Sequence, residues 1–110
     1  MKTLTVLPQL CCGPDVPALP RAEAERVAGS FRALADPTRV AIVNRLAQAD
    51  ETCVCDLTAA FHLSQPTISH HLRVLREAGL VEATRRGTSA FYRVVPETLN
   101  ALATALRPAA

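Results

Sequence analysis

Apolar residues recur at helical spacing over most of this chain, and breaks in the pattern divide it into short segments. From Arg21, Val27, Phe31 and Leu34 fall at i, i+4 and i+7, which predicts a helix with one apolar stripe. Asp36-Pro37 restarts the pattern. Asp36 can cap the next helix and Pro37 suits its first turn. Val40, Ile42, Val43 and Leu46 are its expected buried face, and it should end near Ala49-Asp50. Cys53 to Phe61 reads as a short helix with Val54, Leu57, Ala60 and Phe61 apolar, and His62-Leu63 as a turn. Ser64 is a good N-cap for a helix over Gln65 to Ala78 that Gly79 closes. Leu80 to Thr84 and Ala90 to Val95 alternate as strands, with Arg85 to Ser89 as the hairpin loop. After Pro96, Leu99, Leu102 and Leu106 mark a last helix.

The order α-α-α-α-β-β-α, with two helices joined by a very short turn ahead of a basic hairpin, predicts a mainly α (α+β) winged helix-turn-helix. Residues 1–20 carry four prolines around Cys11-Cys12-Gly13 and read as a flexible, cysteine-containing arm. Residues 21–110 are then the DNA-binding and dimerisation domain.

Composition adds bounds. The 110 residues suit one domain, and 49% are hydrophobic with no Trp, so the core is small and aliphatic. A homodimer sharing core would add stability, and the stripes around Phe31 and Leu102 are its candidate faces. The net charge of +2 identifies no partner. Its distribution does more: Arg73, Arg76, Arg85, Arg86 and Arg93 face only Glu77 and Glu82 in their segment, a possible phosphate footprint. No stretch is long enough to span a bilayer. The apolar start is interrupted by Pro8 and Gln9, unlike a secretory leader. The expected location is cytoplasmic, with no membrane partner. There, four Cys are metal ligands or redox sensors rather than structural disulfides.

On the helix over 65–78, Ile68, Leu72 and Leu75 share one face and must be buried. Gln65, Thr67, Ser69, His70 and Arg73 are left as candidate contacts to double-stranded DNA, able to bond base edges or phosphates. His71 flanks the apolar stripe and is expected to pack. Arg85 and Arg86, at the expected hairpin tip, suit a minor groove or flanking phosphates.

The candidate metal ligands are Cys11, Cys12, Cys53 and Cys55. On a regular helix Cys53 and Cys55 are about 200° apart and their sulfurs diverge. They can share an ion only if the segment lies at or before a helix start, or if binding distorts it. Closing such a site would strain the helix that supports the DNA reader. All-thiolate ligation selects soft ions. A disulfide-forming redox sensor is the competing use of the thiols. A thiol enzyme is not supported, since the chain has no Cys-x-x-Cys and no βαβ pattern.

Three stretches together resemble a known family: Phe31-Arg32-Ala33-Leu34-Ala35-Asp36-Pro37-Thr38-Arg39, Cys53-Val54-Cys55-Asp56-Leu57, and Ser64 to Leu72. They are similar to the ArsR/SmtB metalloregulatory repressors, and the resemblance covers about residues 21–107. It implies a homodimeric winged helix on a palindromic operator, released by an inducer. It also implies an arm cysteine reaching the Cys-x-Cys pair from the other subunit. The zinc site some relatives carry on the last helix is not expected, because residues 97–110 hold no His and only Glu97 as an acid. As(III) is the expected inducer, with Sb(III), Cd(II) and Pb(II) as alternatives.

Overall fold

The computed structural model describes residues 18–109. Helix α1 spans Arg21–Leu34 and α2 spans Pro37–Ala47. Strand β1, Thr52–Cys53, leads directly into α3, Val54–Phe61. Helix α4 is Gln65–Glu77, strands β2 and β3 are Val81–Arg86 and Ser89–Val94, and α5 is Pro96–Leu106. Among the described residues, five helices carry a small antiparallel sheet in the order β1-β3-β2. The architecture is the expected winged helix-turn-helix, with one element the hydrophobic pattern does not reveal. Two residues are too few to show a period, so β1 is defined only by its partners: Thr52 pairs with Tyr92 and Cys53 with Phe91.

Local chemistry sets the boundaries. The Asp36 side chain accepts the Arg39 amide N–H, and Pro37 opens α2. Ser64 accepts the Thr67 amide N–H, and Pro66 sits in the first turn of α4. Helix α4 ends in a Schellman motif: Gly79 has φ +80, its N–H bonds the Arg76 carbonyl, and the Leu80 N–H bonds the Leu75 carbonyl. Leu75 and Leu80 are both fully buried, the apolar contact that accompanies this cap.

Ile42, Leu46, Leu57, Ile68, Leu72, Leu75 and Leu80 form a dry centre shared by α2, α3 and α4, with Leu102 of α5 closing it. Leu102 is therefore core within one chain, while Phe31 and Leu106 keep exposed surface. Val40 is half exposed, contrary to the expected buried face. At 100° per residue it lies about 110° from the centre of the arc set by Ile42, Val43 and Leu46. Ala60 is likewise exposed, and only Leu57 of α3 is fully buried.

The wing also differs from expectation. The strands run on to Arg86 and back from Ser89, so the loop is only Gly87-Thr88. Gly87 at φ +62 takes the first central position, as a type II′ turn requires. Arg85 and Arg86 are strand residues, opposite Ala90 and Ser89 respectively, and not the hairpin tip.

The turn between α3 and α4 rests on His62, a non-glycine residue at φ 55 in the left-handed region. Its side chain is exposed, so the strain has no packing return that would offset it. His62→Gly should raise stability by about 0.5–1 kcal/mol, the left-handed penalty net of added unfolded-state freedom. His62→Val should lower it by about 1 kcal/mol or more. Urea unfolding midpoints decide this; a fall for the glycine variant would contradict it.

Candidate functional site

The two thiols of the Cys-x-Cys segment meet because their backbones belong to different elements. Cys53 is extended (φ −72, ψ 147), held in β1 against Phe91, and is the N-cap of α3. Cys55 lies inside the first turn. The two Sγ atoms are 2.6 Å apart, and the Cys55 amide N–H donates to Cys53 Sγ at 3.3 Å. The divergence expected for two helical residues does not arise, because only one of them is helical. The sulfurs converge through the strand-to-helix change itself.

This geometry separates the thiols chemically. The S–H of Cys55, then its backbone N–H, hold the Cys53 thiol below the ordinary thiol value. The same shared proton, and after it burial, push Cys55 up. Cys53 is thus the first thiolate to form, stabilised as an N-cap acceptor at a helix start.

The thiols open onto a groove of about 340 Å³ between α3, α4 and the wing. Gln65 and Ser69 of α4 and Arg85, Thr88 and Tyr92 of the wing share its lining with Cys53 and Cys55. Three candidate DNA-contacting residues and two candidate metal ligands therefore occupy one feature. Neither the spacing of the cysteines nor the helical period shows this, since the groove is made by the β1–β3 pairing.

The remaining candidates lie as follows. Gln65, Thr67, Ser69, His70 and Arg73 are all exposed on α4, opposite the buried Ile68, Leu72 and Leu75. Ser64 Oγ donates to Thr67 Oγ1 at 3.0 Å, tying Thr67 to the cap. Arg73 donates to His70 Nδ1 at 3.3 Å. Strand alternation sends Arg85 and Arg86 to opposite faces of the sheet. Arg86 bonds the Glu51 carboxylate at 2.6 Å and lies over the Phe91 ring, 4.8 Å from its centroid. Arg93 pairs with Glu82 directly across the strands. The basic segment is thus partly neutralised internally, leaving Arg73, Arg76 and Arg85 without a carboxylate partner among the described residues. Glu51 was not a sequence candidate; only the strand register brings it to Arg86.

Cys11 and Cys12 lie outside the described residues. Among the described residues no cluster of three His, Cys, Asp or Glu side chains forms a complete metal site. Among them, too, no helix is long and apolar enough to cross a membrane.

Residues 36–83 match the model of the family described as bacterial regulatory protein, arsR family. The chain is 42% identical over 76 residues to an uncharacterized HTH-type transcriptional regulator of Methanocaldococcus jannaschii, a match covering 69% of this chain and 85% of that one. It is 42% identical over 72 residues to the arsenical resistance operon repressor of Bacillus subtilis, covering 66% and 69% of the two chains. Among solved structures, it is similar to a homodimeric winged helix-turn-helix DNA-binding domain from Mycobacterium bovis, described as a possible ArsR-family regulator. The TM-score is 0.67 at 32% identity, over 82% of this chain and 85% of that one.

In a variant with Cys11 and Cys12 replaced by Ser, thiolate absorbance should rise in two steps with pH, one below and one above the ordinary thiol range. Cys55→Ala should move the Cys53 step upward only part of the way, because the residue 55 amide N–H remains. A single unshifted step for both thiols would contradict the shared proton.

Proposed function

The chain belongs to the arsR family of bacterial regulatory proteins, and from that premise we propose that it is a transcriptional repressor released from operator DNA when arsenite or antimonite binds its cysteine thiols. Its family and fold are those of DNA-binding regulators and not of enzymes. The observation that carries the inducer reading is the shared groove, in which Cys53 and Cys55 sit beside Gln65, Ser69 and Arg85.

Arsenite is an uncharged trihydroxide. It exchanges each hydroxyl for a thiolate, and each thiol proton leaves with a hydroxyl as water. Cys53 and Cys55 supply two sulfurs already in contact. Cys11 or Cys12 supplies the third. Enclosing the inducer atom between Cys53 and Cys55 moves one sulfur relative to the other. Cys53 is held by β3, so the displacement falls on the start of α3 and reaches α4 through their shared core around Leu57 and Ile68. The bound group also fills the groove that Arg85 and Ser69 line.

On DNA, the exposed face of α4 (Gln65, Thr67, Ser69, His70, Arg73) enters the major groove and Arg85 reaches flanking phosphate. Arg86, committed to Glu51, contributes less. A two-fold homodimer presents two such helices to a palindromic operator. The open groove between α1 and α5, lined by Val27, Ala101 and Leu102, together with the exposed Phe31 and Leu106 of the same two helices, is its contact face. The reading places the protein in the cytoplasm, where thiols stay reduced.

Cys53→Ser/Cys55→Ser should bind, as tightly as the native chain, a DNA duplex selected by the native protein, but should no longer release it with arsenite. Release by arsenite from the double variant would refute the site. The same titration with Cd(II) and Pb(II) ranks those alternative inducers, which Asp56 beside the thiols would favour as cations. Phe31→Glu should convert the dimer to monomer in sedimentation at micromolar concentration and weaken operator binding at least tenfold; an intact dimer would move the interface elsewhere.

A further inference from the structure

Helix α4 carries two adjacent histidines that face different neighbours. His70 is exposed beside Arg73. His71 is partly buried, and its Nδ1 lies 3.2 Å from a terminal nitrogen of Arg39 on α2. The same guanidinium donates through Nε to the Ala33 carbonyl at 2.7 Å, near the C-terminus of α1. The Arg39 backbone N–H is taken by the Asp36 cap. One side chain thus spans the end of α1, the start of α2 and the inner flank of α4.

We propose that Arg39 is a positioning residue for the DNA-reading helix, and that its bond to His71 loosens that helix when the imidazole is protonated. Arginine has donors only, so the contact requires a lone pair on His71 Nδ1. That fixes the neutral ring with its proton on Nε2. Protonation places an N–H against an N–H between two cations and breaks the bridge. The neighbouring groups do not offset this. Arg39 from α2 bonds His71, its amide holding the Asp36 cap, and the ring of His70, itself bonded by Arg73, has its centroid 5.7 Å away. Helix α1 contributes a neutral carbonyl. Asp36 is engaged by the Arg39 amide, and His70 carries no negative charge in either form. Released from Arg39, the inner flank of α4 loses its polar tie to α1 and α2 and keeps only the apolar contacts of Ile68, Leu72 and Leu75.

The sign is opposite for the two histidines. A protonated His70 adds positive charge on the exposed face and strengthens phosphate contact. A protonated His71 weakens the alignment of that face. Their effects separate by substitution: His71→Gln keeps an acceptor for Arg39 that does not titrate.

Two measurements test this. The first needs no DNA. Imidazole ¹⁵N shifts of the native chain at high pH should show His71 as the Nε2–H tautomer, and Arg39→Ala should leave it a mixture. An even mixture in the native protein, or no change in the variant, overturns the bridge. The second follows affinity for a duplex selected by the native protein as the pH is lowered from about 8. Relative to His71→Gln, the native chain should lose about tenfold in affinity on acidification. Arg39→Ala should bind about tenfold more weakly at high pH, the usual scale for losing a charged hydrogen bond. Arg39→Lys, which cannot serve both acceptors with a planar fork, should fall between, and covers the case that the alanine variant does not fold. Parallel pH profiles for the native and His71→Gln chains overturn the positioning role. Failure of the native chain to select any duplex overturns the DNA-binding reading on which this second arm rests, and leaves the tautomer result to decide the bridge.

Discussion

Two backbone pairings, Thr52 with Tyr92 and Cys53 with Phe91, organise the functional half of this protein. They keep Cys53 extended while the next residue turns helical. They bring its sulfur onto that of Cys55, and they bind the start of α3 to the wing. Without β1, the Cys-x-Cys segment would extend α3 backwards, and its sulfurs would point apart. The wing would then keep only its packing against the helices, and the groove joining thiols, α4 and Arg85 would not exist.

The DNA-facing surface is therefore held from two sides by different chemistry. On the wing side, the tie is a short strand that carries the first thiol of the Cys53–Cys55 pair. On the inner side, the tie is Arg39, fixed to Ala33 and His71. Between them lies a core of fully buried aliphatic side chains, and close packing leaves such a core little room to absorb displacement. In the proposed switch, polar ties at the edges and an apolar centre hold one alignment of this helix until a signal releases it.

Charge is distributed with similar economy. The sequence shows five arginines in one segment, yet Arg86 and Arg93 are paired with Glu51 and Glu82 and stiffen the sheet. Within that segment, the arginines left without carboxylate partners among the described residues are on α4 and on one face of β2. A count of basic residues overstates the electrostatic footprint, because strand register decides which charges cancel.

Most of the fold was legible in the sequence, because helices announce themselves through a 3.6-residue period and through caps that are local chemistry. Asp36, Ser64 and Gly79 sit where their side chains or backbone freedom are needed, and Ile68, Leu72 and Leu75 are buried as their spacing requires. The candidate residues were legible as types: thiols beside a polar helix face. Their arrangement was not. A two-residue strand has no period, a partner for Arg39 or Arg86 lies 32 or 35 positions away, and the strand or loop status of Arg85 depends on where pairing stops. Such contacts are settled by which segments pack together, so the sequence determined the parts and their chemistry, and only the tertiary structure decided which of them meet.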